Sequence, residues 1–124
     1  MGSHSFGLGQ WSLVSPGTCL AWAAMSVDLV VVLSHLGHDY KGDRHDDLQM
    51  ARAVAGIDAI VGGHSHTFLE QPLRVPAEGG GTLIFQVGFG GVNLGRMDFT
   101  LVKGSVKGAS GTALGIGPDR PVLG

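Results

Sequence analysis

The chain has 124 residues, enough for one small domain with a modest core. Its formal net charge of -2 excludes the basic surface of a nucleic-acid binder, and its single cysteine, Cys19, excludes an internal disulfide. Hydrophobic residues make up 44% against 15% charged, with mean hydropathy +0.25, an apolar balance that points to faces covered by further sequence.

In chain order, Ser5 to Gly17 reads as irregular or one short strand, punctuated by Gly7, Gly9 and Ser15-Pro16-Gly17. Thr18 to Ser26 has helical propensity and is apolar nearly all round, and in that setting Cys19 reads as a small buried hydrophobe. Residues 1–26 are expected to form a leader and a shortened segment. The N-terminus lacks a basic region followed by an apolar core, so a secretory signal is not expected there. No apolar stretch is long enough to span a bilayer as a helix.

Val27 to Ser34 is rich in β-branched residues and apolar on both faces, the pattern of a parallel strand buried between helices. A polar loop from Gly37 to His45 follows. Asp46 or Asp47 then caps a helix through Leu48, Met50, Ala51, Val54 and Ala55, which Gly56 stops. Ile57 to Val61 is the next buried strand, completing a right-handed βαβ unit. Pro72, Pro76 and Gly79-Gly80-Gly81 make a turn-rich connection into a strand from Thr82 to Val87. Gly95 to Val102 alternates as a half-exposed strand, and Lys103-Gly104 turns the chain into a short returning strand. Residues 27–107 are expected to form the domain, and 108–124, dominated by Gly, Ser and Pro, a poorly ordered tail.

Histidines stand at the two predicted strand ends. His35 closes Val30-Val31-Val32-Leu33-Ser34, and His64 and His66 follow Ile60-Val61-Gly62-Gly63. Positions i and i+2 of an extended segment point the same way, so both imidazoles of the pair are expected to turn toward one point. Ligands in open α/β sheets collect beyond the carboxyl ends of the strands, where all three fall. Imidazole suits borderline transition metals, and Zn, Mn and Fe stay open. His38 and His45 read as solvated loop residues, and the acidic residues from Asp39 to Asp47 as capping and surface charge. Arg96 reads as pairing with Asp98. Phe89 reads either as a border of the site or as core.

These residues carry a resemblance. Val27 to Gly37, Ala55 to Thr67, Phe85 to Gly88 and Leu94 to Asp98, in that order and spacing, resemble the 5'-nucleotidase branch of the calcineurin-like metallophosphoesterases. The resemblance implies part of a two-sheet αββα sandwich built on the central βαβ unit. It implies a dinuclear divalent-metal centre in which His35 and His64 hold one metal and His66 the other. The substrate implied is a nucleotide or related small phosphate ester. The branch's remaining ligands come from an N-terminal Asp-x-His motif, a bridging Asp and a Gly-Asn-His-Glu motif whose His assists the chemistry. None of these is expected anywhere in the chain, an Asp-x-His included, and Asn93, the only asparagine, comes after the histidine loop. The chain is therefore expected to match the second half of a catalytic domain, completed by a missing N-terminal half or by self-association across exposed apolar edges. The alternative is an inactive fragment that binds a metal or a partner. Members of the branch are often periplasmic or extracellular, which the residues here neither require nor oppose.

Overall fold

A computed structural model describes residues 27–42, 44–77 and 80–116. The readings made for residues 1–26 and for 117–124 lie outside them.

The expected βαβ unit is present. Strand β1 (Val31–Leu33) leads through helix α1 (Asp47–Ala53) to strand β2 (Ala59–Val61), and β1 and β2 pair in parallel with Val32 opposite Ile60. Strand β3 (Leu73–Val75) and strand β4 (Thr82–Phe85) complete a sheet in the order β1-β2-β4-β3. In it β2 pairs β4 in parallel and β3 pairs β4 antiparallel. Strand β3 falls inside the stretch read as a turn-rich connection. Pro72 and Pro76 flank it without entering it, and its edge position requires hydrogen bonds along one side only.

Helix α1 forms where the sequence places it, and Asp46 is the cap. Its backbone is extended (φ -142°), Oδ1 accepts the Gln49 N–H at 2.7 Å, and Oδ2 accepts the Tyr40 N–H at 2.8 Å. Gly56 takes the left-handed conformation (φ 84°) beyond the helix end. Asp47, Met50, Ala51 and Val54 recur at helical spacing on the buried face. Met50, Ala51 and Val54 join Val32, Ile57, Ile60, Val75 and Ile84 in one core cluster on that side of the sheet. Inside it the Thr82 hydroxyl donates to the Ile57 carbonyl at 2.8 Å.

The opposite face of the sheet is only partly covered. Strand β5 (Asn93–Val102) and strand β6 (Ser105–Gly115) form an antiparallel hairpin turned by Lys103 (φ 49°) and Gly104 (φ 71°). Its inner positions Gly95, Met97 and Phe99 face Val31, Val61, Phe85 and Val87 across an apolar groove of about 260 Å³. The expectation that β1 is buried on both faces therefore fails. Val32 is buried under the helix, whereas Val31 is 43% and Leu33 82% exposed, because no second layer reaches this edge strand among the described residues. The tail expectation fails as well. Residues 108–115 belong to β6, where small side chains let the strand lie close to its neighbours: a Cβ at Gly111 would clash with Pro72 and with the Arg96 carbonyl. The architecture is α/β, a helix layer against one sheet and a second small sheet behind it, as expected of a partial αββα sandwich. No helix among the described residues is long and apolar enough to cross a membrane.

Candidate metal centre

The parallel pairing runs past the formal strand ends. Ser34 N–H donates to the Val61 carbonyl at 2.9 Å, and Gly62 N–H donates to the Phe85 carbonyl at 2.9 Å. His35 and the loop carrying His64 thus leave the sheet side by side. The rings of His35 and His64 meet edge-on, with centroids 5.1 Å apart. Gly63 makes this approach possible, since a Cβ there would stand 3.0 Å from His35 Nδ1. Both histidines are exposed.

His64 and His66 do not share one extended segment. Both adopt left-handed backbone, with φ 72° and 55°, so the i, i+2 rule for strands does not govern them. The loop folds back on itself, with Ser65 N–H donating to the Gly63 carbonyl at 2.9 Å. His64 goes to His35, with the Tyr40 ring 6.5 Å away, whereas His66 stacks on Phe89 at 4.8 Å. Phe89 therefore borders the site rather than entering the core. Among the described residues no cluster of three or more His, Cys, Asp or Glu side chains gathers as a complete cation cage.

Four residues that sequence reasoning did not assign to the site shape it. Gln86, 2% exposed, follows an all-buried strand and bonds three points of the histidine loop. Tyr40 packs over Gly37, whose φ of 100° and missing Cβ leave room for the ring. Asp47, read as capping or surface charge, is fully buried: its Oδ1 accepts the Ser34 hydroxyl, and its Oδ2 has no partner. Burial raises its pKa above the ordinary carboxylate value, against the Ser34 hydrogen bond and the charge of His38, which lower it. Gly62 is the glycine this carboxylate demands, because a Cβ there would collide with Asp47 Oδ2. The readable signal for Gln86 was a lone amide in an apolar run. For Asp47 it was position in the helical stripe of Met50, Ala51 and Val54.

His38, read as solvated, is half-buried, with Nδ1 unpartnered and its N–H donating to Ser65 Oγ at 3.0 Å. His45 is exposed. The expectation that no Asp-x-His occurs is wrong as stated: Asp43-Arg44-His45 is one, but it lies in the loop before α1 rather than ahead of β1, and Asp43 is outside the described residues. Arg96 pairs with Asp98 at 2.9 Å, as the sequence suggests.

No family model matches the chain. Solved structures match its fold. A 5'-nucleotidase precursor from Thermus thermophilus aligns with TM-score 0.71 and 31% identity over 84% of this chain and 22% of that one. The sulfate thiohydrolase SoxB of Thermus thermophilus aligns with TM-score 0.66 and 29% identity over 90% of this chain and 18% of that one. In sequence, the trifunctional nucleotide phosphoesterase YfkN of Bacillus subtilis is 36% identical over 72 residues, 58% of this chain and 4% of that protein. In sequence and fold the chain is similar to metallophosphoesterases of the 5'-nucleotidase type. It spans less than a quarter of the length of each of these relatives.

Proposed function

We propose that the chain carries the histidine part of a metal-dependent phosphoester hydrolase acting on nucleotides or related small phosphate esters. The carrying observation is the His35–His64 pair: two exposed imidazoles, 5.1 Å apart, at the carboxyl ends of adjacent parallel strands. Such a donor pair suits one divalent cation of the Zn, Mn or Fe class. His66 is assigned to a second cation, and its separate packing against Phe89 supports distinct duties for the two histidines of the loop.

When bound, divalent cations neutralise charge that develops on a phosphoryl group under attack. The residues of this chain do the positioning. Gly63 lets the His35 ring come close, and Phe89, 67% exposed, walls the site beside His66. The Tyr40 ring limits the space around His64 on its other side.

A second reading is favoured by the missing third donor among the described residues. In it the chain binds a cation or a partner and turns nothing over unless another polypeptide brings carboxylates. Zinc and manganese titrations, with hydrolysis of an aryl phosphate and a 5'-nucleotide followed on the same samples, separate the two. Metal binding and turnover, both lost in His64→Ala, support the first reading. Binding lost in His64→Ala without turnover in any sample supports the second. A chain that binds neither metal removes both metal readings.

A further inference from the structure

We infer that Gln86 is the positioning residue of the histidine loop: its buried carboxamide fixes the backbone from Gly63 to Thr67 in the conformation that turns His64 toward His35. The inference rests on the reading of these histidines as metal ligands, and its test keeps the two apart.

The amide grips both ends of the loop. Gln86 Nε2 donates to the Gly63 carbonyl at 2.7 Å, ahead of His64. Its Oε1 accepts the Thr67 N–H, just beyond His66, and the Ser65 hydroxyl at 2.9 Å, between the two histidines. That hydroxyl also accepts the His38 N–H at 3.0 Å and lies 2.9 Å from Thr67 Oγ1, so the clamp reaches the loop after β1.

The loop requires such a clamp. His64 and His66 both stand in left-handed backbone, which crowds the Cβ of any L-residue and is held only where surrounding structure over-determines it. Inside one short loop, two such residues alternate with the three points that Gln86 bonds. The chemistry of the amide is specific. One planar group must donate at one end and accept twice at the other, which Glu, Met and Leu cannot do. Burying an amide beside Phe85 is unfavourable unless its hydrogen bonds are made, and here they are. Held this way, the loop presents the ligand pair before any cation arrives, in the manner of outer groups that orient metal-binding histidines.

The test uses the full chain, Gln86→Met, which keeps length and apolar volume without the hydrogen bonds, and Gln86→Glu, which keeps the acceptors but turns the donor at Gly63 into another acceptor. Two quantities are read. One is hydrogen exchange at the Thr67 amide, with Ile60 and Ile84 as controls for the sheet. The other is zinc affinity by calorimetric titration. In Gln86→Met, Thr67 is expected to exchange at least about tenfold faster with the controls unmoved, and zinc affinity to fall about 10–100-fold. In Gln86→Glu, Thr67 stays protected while affinity still falls. An unchanged Thr67 amide in Gln86→Met overturns the clamp. So does a released Thr67 with zinc affinity held within about twofold. If the unaltered chain binds no zinc, the metal reading fails and the clamp is decided by Thr67 exchange alone. If Gln86→Met does not fold, Ser65→Ala decides: faster His38 amide exchange with weaker zinc binding supports the network, and no change in either overturns it.

Discussion

Gly62→Ala places a methyl group against a buried carboxylate that cannot step aside without loss. The added Cβ would collide with Asp47 Oδ2 and come within 3.1 Å of Gln86 Nε2 and 3.4 Å of Asp47 Cγ. Gly62 does not occupy the left-handed region, so the effect is steric rather than conformational. Overpacking of this kind costs about 1–3 kcal/mol. If the carboxylate swings away, its hydrogen bond from Ser34 is lost, worth about 1.5–3 kcal/mol for a charged acceptor. Reduced freedom of the unfolded chain returns about 0.4–1 kcal/mol. By either route the net expectation is a destabilisation of roughly 0.5–2.5 kcal/mol. Urea unfolding measures it as a lower midpoint at constant slope. Removing the opposing carboxylate in Gly62→Ala/Asp47→Ala should recover part of the loss, with a coupling of about 0.5–3 kcal/mol. A Gly62→Ala midpoint within about 0.5 kcal/mol of the parent, or strict additivity of the two changes, would show that Asp47 does not constrain the loop.

Asp47 also sets a pH dependence. Its pKa is raised in the fold chiefly by burial, so the folded chain binds a proton that the unfolded chain releases near the ordinary carboxylate value of about 3.9. Its contribution to stability is therefore largest at acid pH and declines as pH rises from that value through the raised one. Asp47→Asn, which keeps an acceptor for Ser34, should flatten this part of the stability–pH curve. A parent curve in which the Asp47→Asn difference does not change across that window would contradict the assignment. At the sheet edge, Leu33 is 82% exposed on a strand with one free side among the described residues, so any self-association measured in sedimentation should fall in Leu33→Lys. The unfolding midpoint should shift by less than about 0.5 kcal/mol, and unchanged association would place the contact elsewhere.

Much of the fold was legible because local rules and burial agree there. The stripe of Met50, Ala51 and Val54, the Asp46 cap and the Gly56 stop mark α1 with little dependence on distant sequence. Between them, the apolar runs around Val32 and Ile60 leave only a parallel pairing with a crossover helix. Strand β3 was hidden because Leu73-Arg74-Val75 is short and framed by prolines, and becomes a strand only by pairing with β4. The extent of β6 was hidden for a related reason. Its Gly and Ser residues have weak strand preference alone, and β5 supplies the partner that Ser105 to Gly115 register against.

The residues alone determined that histidines close two strands of a βαβ unit, because apolar runs that end in glycine or serine set where the chain leaves the sheet. The tertiary structure decided how those histidines are used. It set His64 against His35 and turned His66 to Phe89, since left-handed backbone at both positions overrides the strand alternation expected from spacing. It also brought Gln86 to Ser65 across 21 residues and Asp47 to Ser34 across 13, contacts that no local pattern encodes. Hydrogen bonds between sequence-distant groups form only once the sheet has packed, and in this loop they fix the backbone that carries His64 and His66.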